Sequence, residues 1–89
     1  MTLNEYQQAC HTTRDYKNTP KILYPVLGLT GEAGEVSDKF KKILRDKNGK
    51  VRKEDRIEIA KEIGDVFWYV AELSADLGFS LEEIAQMNI

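Results

Sequence analysis

The sequence predicts an all-α fold, a small helical bundle built around a central antiparallel helix hairpin and completed by oligomerisation. Three observations carry this. Thr2 with Glu5, and Ser80 with Glu83, have the spacing of helix capping boxes. Apolar residues between Pro25 and Leu77 recur at helical intervals and nowhere alternate in the two-residue rhythm of a strand. Two carboxylate pairs, Glu32 with Glu35 and Glu62 with Asp65, share the i, i+3 spacing that puts both acids on one helix face, roughly 60° apart around the axis.

The first helix runs from the Thr2 cap to about Asp15, where Lys17-Asn18-Thr19-Pro20 interrupts it. The second starts at Pro25, where a missing N–H costs nothing in the first turn, and continues to about Arg45. Leu29, Val36, Phe40, Ile43 and Leu44 are its candidate apolar contacts. Gly28, Gly31 and Gly34 each cost about 1 kcal/mol relative to Ala in a helix interior. Their presence predicts that another backbone or a ligand approaches closely there. Asp46-Lys47-Asn48-Gly49-Lys50 is a polar turn, and the third helix runs from Glu54 or Asp55 to Leu77, with Gly78 as its stop. Ile57, Ile59, Ile63, Val66, Phe67, Val70 and Leu73 give it a broad apolar surface. A fourth helix opens at Leu81. Eighty-nine residues, 42% of them hydrophobic, suit one domain spanning residues 1–89 with one modest core.

Cys10 is the single cysteine, which excludes an intrachain disulfide and a Cys-rich zinc site. Met1-Thr2-Leu3-Asn4-Glu5 lacks the basic and apolar regions of a signal peptide, and the longest apolar run, Val66 to Ala71, is far too short to span a bilayer. No membrane association and a cytoplasmic location are expected. The net charge is −2, but nine of the thirteen Lys and Arg residues lie between Lys39 and Arg56, just after the first acid pair. A basic segment beside an acidic metal site suits a phosphate ester carrying its own metal. With a negative overall charge and no helix-turn-helix or aromatic-basic motif, nucleic acid is not an expected partner.

The two acid pairs lie on the two longest helices, flanked by Leu29, Val36, Ile63 and Val66. Four acids brought together by an antiparallel hairpin repel one another unless a cation compensates them, and a hard divalent ion bound by oxygen is the natural partner. An EF-hand does not supply that site, because Asp46-Lys47-Asn48-Gly49 has its glycine too early. Asp65 is followed one turn later by Tyr69, which would meet the sugar or water at the metal, or serve as a core tyrosine. Lys39 lies one turn after Glu35 and Lys42 close behind, both within reach of a phosphate. Lys61 would pair with Asp65 at i, i+4.

The run Tyr24-Pro25-Val26-Leu27-Gly28-Leu29-Thr30-Gly31-Glu32-Ala33-Gly34-Glu35-Val36, followed by Glu62-Ile63-Gly64-Asp65-Val66 and Tyr69, resembles the MazG-type nucleotide pyrophosphohydrolases of the all-α nucleoside triphosphate pyrophosphatase superfamily. The hallmark of that superfamily is Glu-x-x-Glu on one helix and Glu-x-x-Asp on the next, and the 26 residues between Glu35 and Glu62 are compatible with it. The resemblance covers nearly the whole chain. It implies Mg²⁺-dependent hydrolysis of nucleoside triphosphates, dNTPs above all, between the α and β phosphates for nucleotide-pool cleaning, with Mn²⁺ a substitute ion. Glu32, Glu35, Glu62 and Asp65 match the metal ligands, with Glu35 also orienting or deprotonating the attacking water. Tyr16 matches an aromatic position that contacts the base, and Gln7 a base-edge position on the first helix. The resemblance also points to a homo-oligomer, a dimer or tetramer. Relatives commonly extend the last helix past the equivalent of Met87-Asn88-Ile89 with Lys and Arg residues that help hold the nucleotide. A dUTP-directed or phosphoribosyl-ATP-directed enzyme would show the same four acids. The rival from another class is a non-catalytic helical interaction module whose acid pairs form interchain salt bridges.

Overall fold

The computed structural model describes residues 1–16 and 18–89. Its elements are α1 (Leu3–Thr12), α2 (Leu23–Lys47), α3 (Lys53–Asp76) and α4 (Leu81–Asn88), with no strand among the described residues. The all-α expectation holds. The short turn after α2 reverses the chain, so that α2 and α3 pack along each other as the dominant pair, while α1 lies against α3 and α4.

The helix ends follow local hydrogen bonding. Thr2 and Ser80 cap α1 and α4 through the capping boxes read from the sequence. Helix α1 stops at Thr12, three residues short of expectation. The Thr12 and Thr13 hydroxyls donate back to the Ala9 and Cys10 carbonyls at 2.6 and 2.9 Å, and Arg14 is drawn away to Glu72 and Asp76. Helix α2 begins two residues before Pro25, whose ring is fully buried in the first turn, where no intrahelical donor is needed. It ends at Asn48 in the left-handed conformation, with the Gly49 N–H donating to the Ile43 carbonyl at 3.2 Å. Asp55 accepts from the Arg52 N–H at 3.0 Å and starts α3 slightly earlier than expected.

The core is small and sits at the end of the hairpin nearest α1. Cys10, Ala71 and Leu81 are buried together with Tyr6, Trp68 and Val70 against them, so Cys10 is an ordinary packing residue. Gln7 clamps this region. Its amide nitrogen donates to the Ala71 and Phe79 carbonyls at 3.2 and 3.0 Å, and its oxygen accepts from the Leu81 N–H at 3.1 Å. Within the chain, both amide protons of Gln7 are thus engaged by backbone carbonyls.

Away from that end, the candidate apolar contacts of α2 and the broad apolar surface of α3 are covered only in part. Ile43 is buried and Leu29, Val36, Ile59 and Val66 are half-buried, but Phe40, Leu44, Ile57 and Ile63 are exposed, Ile63 by 53%. A two-helix hairpin buries one face of each helix only. Helical spacing puts Val26, Ala33, Phe40 and Leu44 of α2, and Ile57, Ala60, Ile63 and Phe67 of α3, on the side of the hairpin opposite the acids. Among the described residues, Tyr6 covers the Phe67 end of this side, its ring stacking on Phe67 at 4.8 Å. The radius of gyration is 15.0 Å, against about 12 Å for a compact globule of this length.

Candidate metal centre

Glu32 on α2 and Glu62 and Asp65 on α3 each present a carboxylate oxygen within 4.8 Å of the other two. Glu32 and Glu62 are half-buried and Asp65 is exposed. The hairpin register produces this, since Glu32 and Glu62 lie beside the packed seam and Asp65 is three residues on along the same face of α3. Glu35 is exposed and falls outside the three-acid group, although its charge still reaches Glu32. The Glu32 carboxyl is raised above its ordinary value of 4.5, first by partial burial and then by the charges of Asp65, Glu62 and Glu35. No Lys or Arg among the described residues pairs with any of the three clustered acids. Lys61, expected on Asp65, instead approaches Glu58 at 3.3 Å.

Three carboxylates supply the all-oxygen donor set that a hard divalent cation requires. Opposite ligands of an octahedral Mg²⁺ stand about 4.2 Å apart, so the separation of up to 4.8 Å closes with small side-chain rotations and leaves positions for water and phosphate oxygens. The donor set therefore fits the metal expected from sequence.

Flanking the acids on the same side is a cleft of about 160 Å³ at the turn end of the hairpin, lined by Lys39, Lys42, Lys47, Asp46, Asp55 and Glu58. Lys47 is tied to Asp55 at 2.6 Å and Lys42 to Asp38 at 3.1 Å. Lys39 has no carboxylate partner among the described residues and remains available to an incoming anion.

On the other flank the site is aromatic. The Tyr69 ring lies over Gly28 so closely that a Cβ at residue 28 would overlap it, which accounts for that glycine. The Tyr69 hydroxyl has its pKa raised, first by burial and then by Tyr24, Glu32 and Asp65. Gly31 and Gly34 face open space, so the expected close approach is not made among the described residues. Tyr16 is only 8% exposed, packed between the Tyr24 ring at 4.5 Å and the edge of Trp68 at 6.3 Å, with the Arg14 guanidinium 4.1 Å from its centroid. Its hydroxyl is buried without a partner among the described residues, and burial pushes its pKa up to about 12. Tyr24, which the sequence reading did not single out, stacks on Tyr16 and is 36% exposed as a residue. Its signal was the spacing Tyr24, Gly28, Gly31, Glu35, which runs down one face of α2.

Arg14, Glu72 and Asp76 form a second polar cluster beneath these rings, also missed from sequence. The fully buried Glu72 takes Arg14 at 3.0 Å, with His11 Nδ1 at 3.5 Å, while Asp76 takes Arg14 through two bonds of 2.7 and 3.2 Å. Burial raises the Asp76 pKa, but the Arg14 bonds, the Ile22 N–H and the nearby Lys21 outweigh it, and the net shift is below the ordinary value of 3.8. This cluster fastens α1 and the start of α2 to α3.

A family model described as the MazG nucleotide pyrophosphohydrolase domain matches residues 20–89. The Gene 37 protein of Mycobacterium phage L5 is 48% identical to this chain over 68 residues, 76% of the chain and 60% of that protein, so the chain spans about three fifths of its relative's length. No solved structure matches the chain. No helix among the described residues is long and apolar enough to cross a membrane.

Proposed function

This chain belongs to the MazG nucleotide pyrophosphohydrolase family, and we propose that it hydrolyses nucleoside triphosphates, dNTPs foremost, between the α and β phosphates to give a monophosphate and pyrophosphate. The observation that carries the proposal is the convergence of Glu32, Glu62 and Asp65 with no Lys or Arg among the described residues paired to them. Such an arrangement costs stability by itself and is justified by a cation taken from solution. Mg²⁺ held by these three acids would neutralise charge on the phosphate oxygens and make water more acidic.

The chain's own groups divide the remaining work. Glu35, exposed one turn after Glu32 and outside the cluster, keeps a carboxylate able to orient a water molecule and accept its proton. Lys39, and Lys42 after release from Asp38, would hold the departing pyrophosphate in the adjoining cleft. Tyr69 stands between the acids and the aromatic flank, where the sugar would lie. Incubation with each canonical dNTP and NTP in the presence of Mg²⁺ tests the reading and its sugar preference. Failure of every nucleotide to turn over, with no rise in melting temperature on adding Mg²⁺ or Mn²⁺, would favour the rival in which the acids serve interchain salt bridges.

We also propose that the active protein is a homo-oligomer, dimer or tetramer, closed through the uncovered apolar side of the hairpin. Phe40, Leu44, Ile57 and Ile63 form an apolar surface larger than isolated exposed residues, on an elongated protomer. Sedimentation at micromolar concentration should give at least twice the 10.2 kDa of the chain, and Ile63→Glu should reduce that mass. A monomeric wild-type protein would end this proposal.

A further inference from the structure

We propose that Tyr24 is the platform on which the nucleobase stacks, an inference that rests on the nucleotide-hydrolase reading above. Tyr24 and Tyr16 are stacked with centroids 4.5 Å apart and planes 28° from parallel. Tyr16 is buried and backs one face of the Tyr24 ring, Tyr69 lies tilted beside it at 6.5 Å, and Tyr24 as a residue keeps 36% of its surface exposed. An aromatic ring backed in this way offers a flat apolar surface that loses little freedom when a base settles on it.

The position relative to the acids has the order of a nucleotide. Tyr24, Gly28, Gly31 and Glu35 lie on one face of α2, and about 12 Å of helix separates Tyr24 from Glu32. Between them the space over Gly28 is taken by Tyr69, whose ring is 6.5 Å from Tyr24, and the space over Gly31 is open. A base on Tyr24 would place its sugar along Tyr69 and its phosphates past the bare backbone at Gly31, at the clustered carboxylates. Tyr16, the aromatic position matched by resemblance, then acts one layer down, as the support of the ring that touches the base.

The backbone at the entry to α2 points the same way. Ile22 has φ 66° and ψ −59°, and the Leu23 N–H donates to the Lys21 carbonyl at 2.6 Å, a tight γ-turn in a conformation that β-branched residues avoid. It is held by Asp76, which accepts the Ile22 N–H at 2.9 Å while gripping Arg14. Arg14 in turn lies over the Tyr16 ring. One Arg14–Asp76 pair thus fixes both the turn two residues before Tyr24 and the ring behind it. Strain of this kind persists where surrounding groups hold a functional side chain in place.

The test compares two ligands in Mg²⁺ by calorimetry: an α,β-imido deoxynucleoside triphosphate, which resists cleavage between those phosphates, and inorganic tripolyphosphate, which has no base. Tyr24→Leu should weaken the nucleotide roughly ten- to hundredfold and leave tripolyphosphate within twofold. Tyr24→Phe should keep wild-type affinity for both. Tyr24→Trp, with a larger stacking face, should bind the nucleotide at least as tightly as wild type with no gain for tripolyphosphate, a readout that stands even if the leucine variant does not fold. Equal loss of both ligands in a folded Tyr24→Leu, or nucleotide affinity unchanged in it, would overturn the platform while leaving the hydrolase reading intact. A wild-type protein that binds neither ligand would overturn both.

Discussion

Replacing Glu62 by Gln should move stability and activity in opposite directions. Glu62 faces Glu32 and Asp65 with oxygens no more than 4.8 Å away. Two like charges at that separation repel by about 0.9 kcal/mol in a water-like dielectric, which suits a site that is half open. Physiological salt, with a screening length of about 8 Å, roughly halves each term. Removing the Glu62 charge relieves two such pairs, so the metal-free variant should gain about 1 kcal/mol, or about 4–8 °C in melting temperature for a domain of this size. The same change removes one of three anionic oxygen donors and should abolish most turnover. The assay is a pair of thermal melts, with and without Mg²⁺, beside a pyrophosphate-release measurement. Wild type should gain stability on adding Mg²⁺, and Glu62→Gln should gain little. A variant that melts below wild type without metal would mean that Glu62 serves a structural ion pair, and one that retains turnover would remove Glu62 from the metal site.

The glycines of α2 should respond in opposite ways. Gly28→Ala forces a methyl into the Tyr69 ring and should cost about 1–3 kcal/mol in a denaturant melt, whereas Gly31→Ala, facing open space, should gain about 1 kcal/mol while weakening nucleotide binding. Stable, fully active Gly31→Ala would return that glycine to a neutral surface position. Lys39→Ala and Lys42→Ala should each raise KM or lower kcat/KM with the fold unchanged, and wild-type kinetics in both would leave these lysines as a solvated face. For pH, the Asp76 pKa is depressed in the folded state, so its contribution is complete above the unfolded value near 3.8 and is lost as pH falls through the lower folded value. Wild type should therefore lose stability more steeply below about pH 4 than Asp76→Asn, and parallel melting curves would contradict the pairing with Arg14.

The parts of the fold legible in the sequence are those set by local chemistry. Capping boxes at Thr2 and Ser80, the Gly78 stop and helical periodicity depend on neighbours a few residues away, and each reads directly. Helix ends decided by distant partners do not. The early end of α1 depends on Arg14 reaching Glu72 and Asp76, and the start of α2 depends on Asp76 holding the Ile22 N–H, contacts more than fifty residues apart in sequence. Among the candidate site residues, the motif spacing of Glu32, Glu62 and Asp65 anticipated a convergence that the hairpin register then makes. The different placement of Glu35 was invisible, since i, i+3 spacing gives a shared face but no depth. Gln7 shows the same gap, because its sequence position cannot reveal that its amide is consumed by the Ala71 and Phe79 carbonyls. Tyr24 was visible as a letter in the motif, but its exposure depends on Tyr16 packing behind it.

Phosphorus NMR of a dNTP incubated with the protein and Mg²⁺ tests most directly the proposed cleavage between the α and β phosphates at Glu32, Glu62 and Asp65. The expected spectrum shows monophosphate and pyrophosphate growing in equal amounts, no diphosphate intermediate, and no change over the same period with Glu62→Gln. Accumulation of diphosphate and orthophosphate, or equal turnover by the variant, would contradict the account.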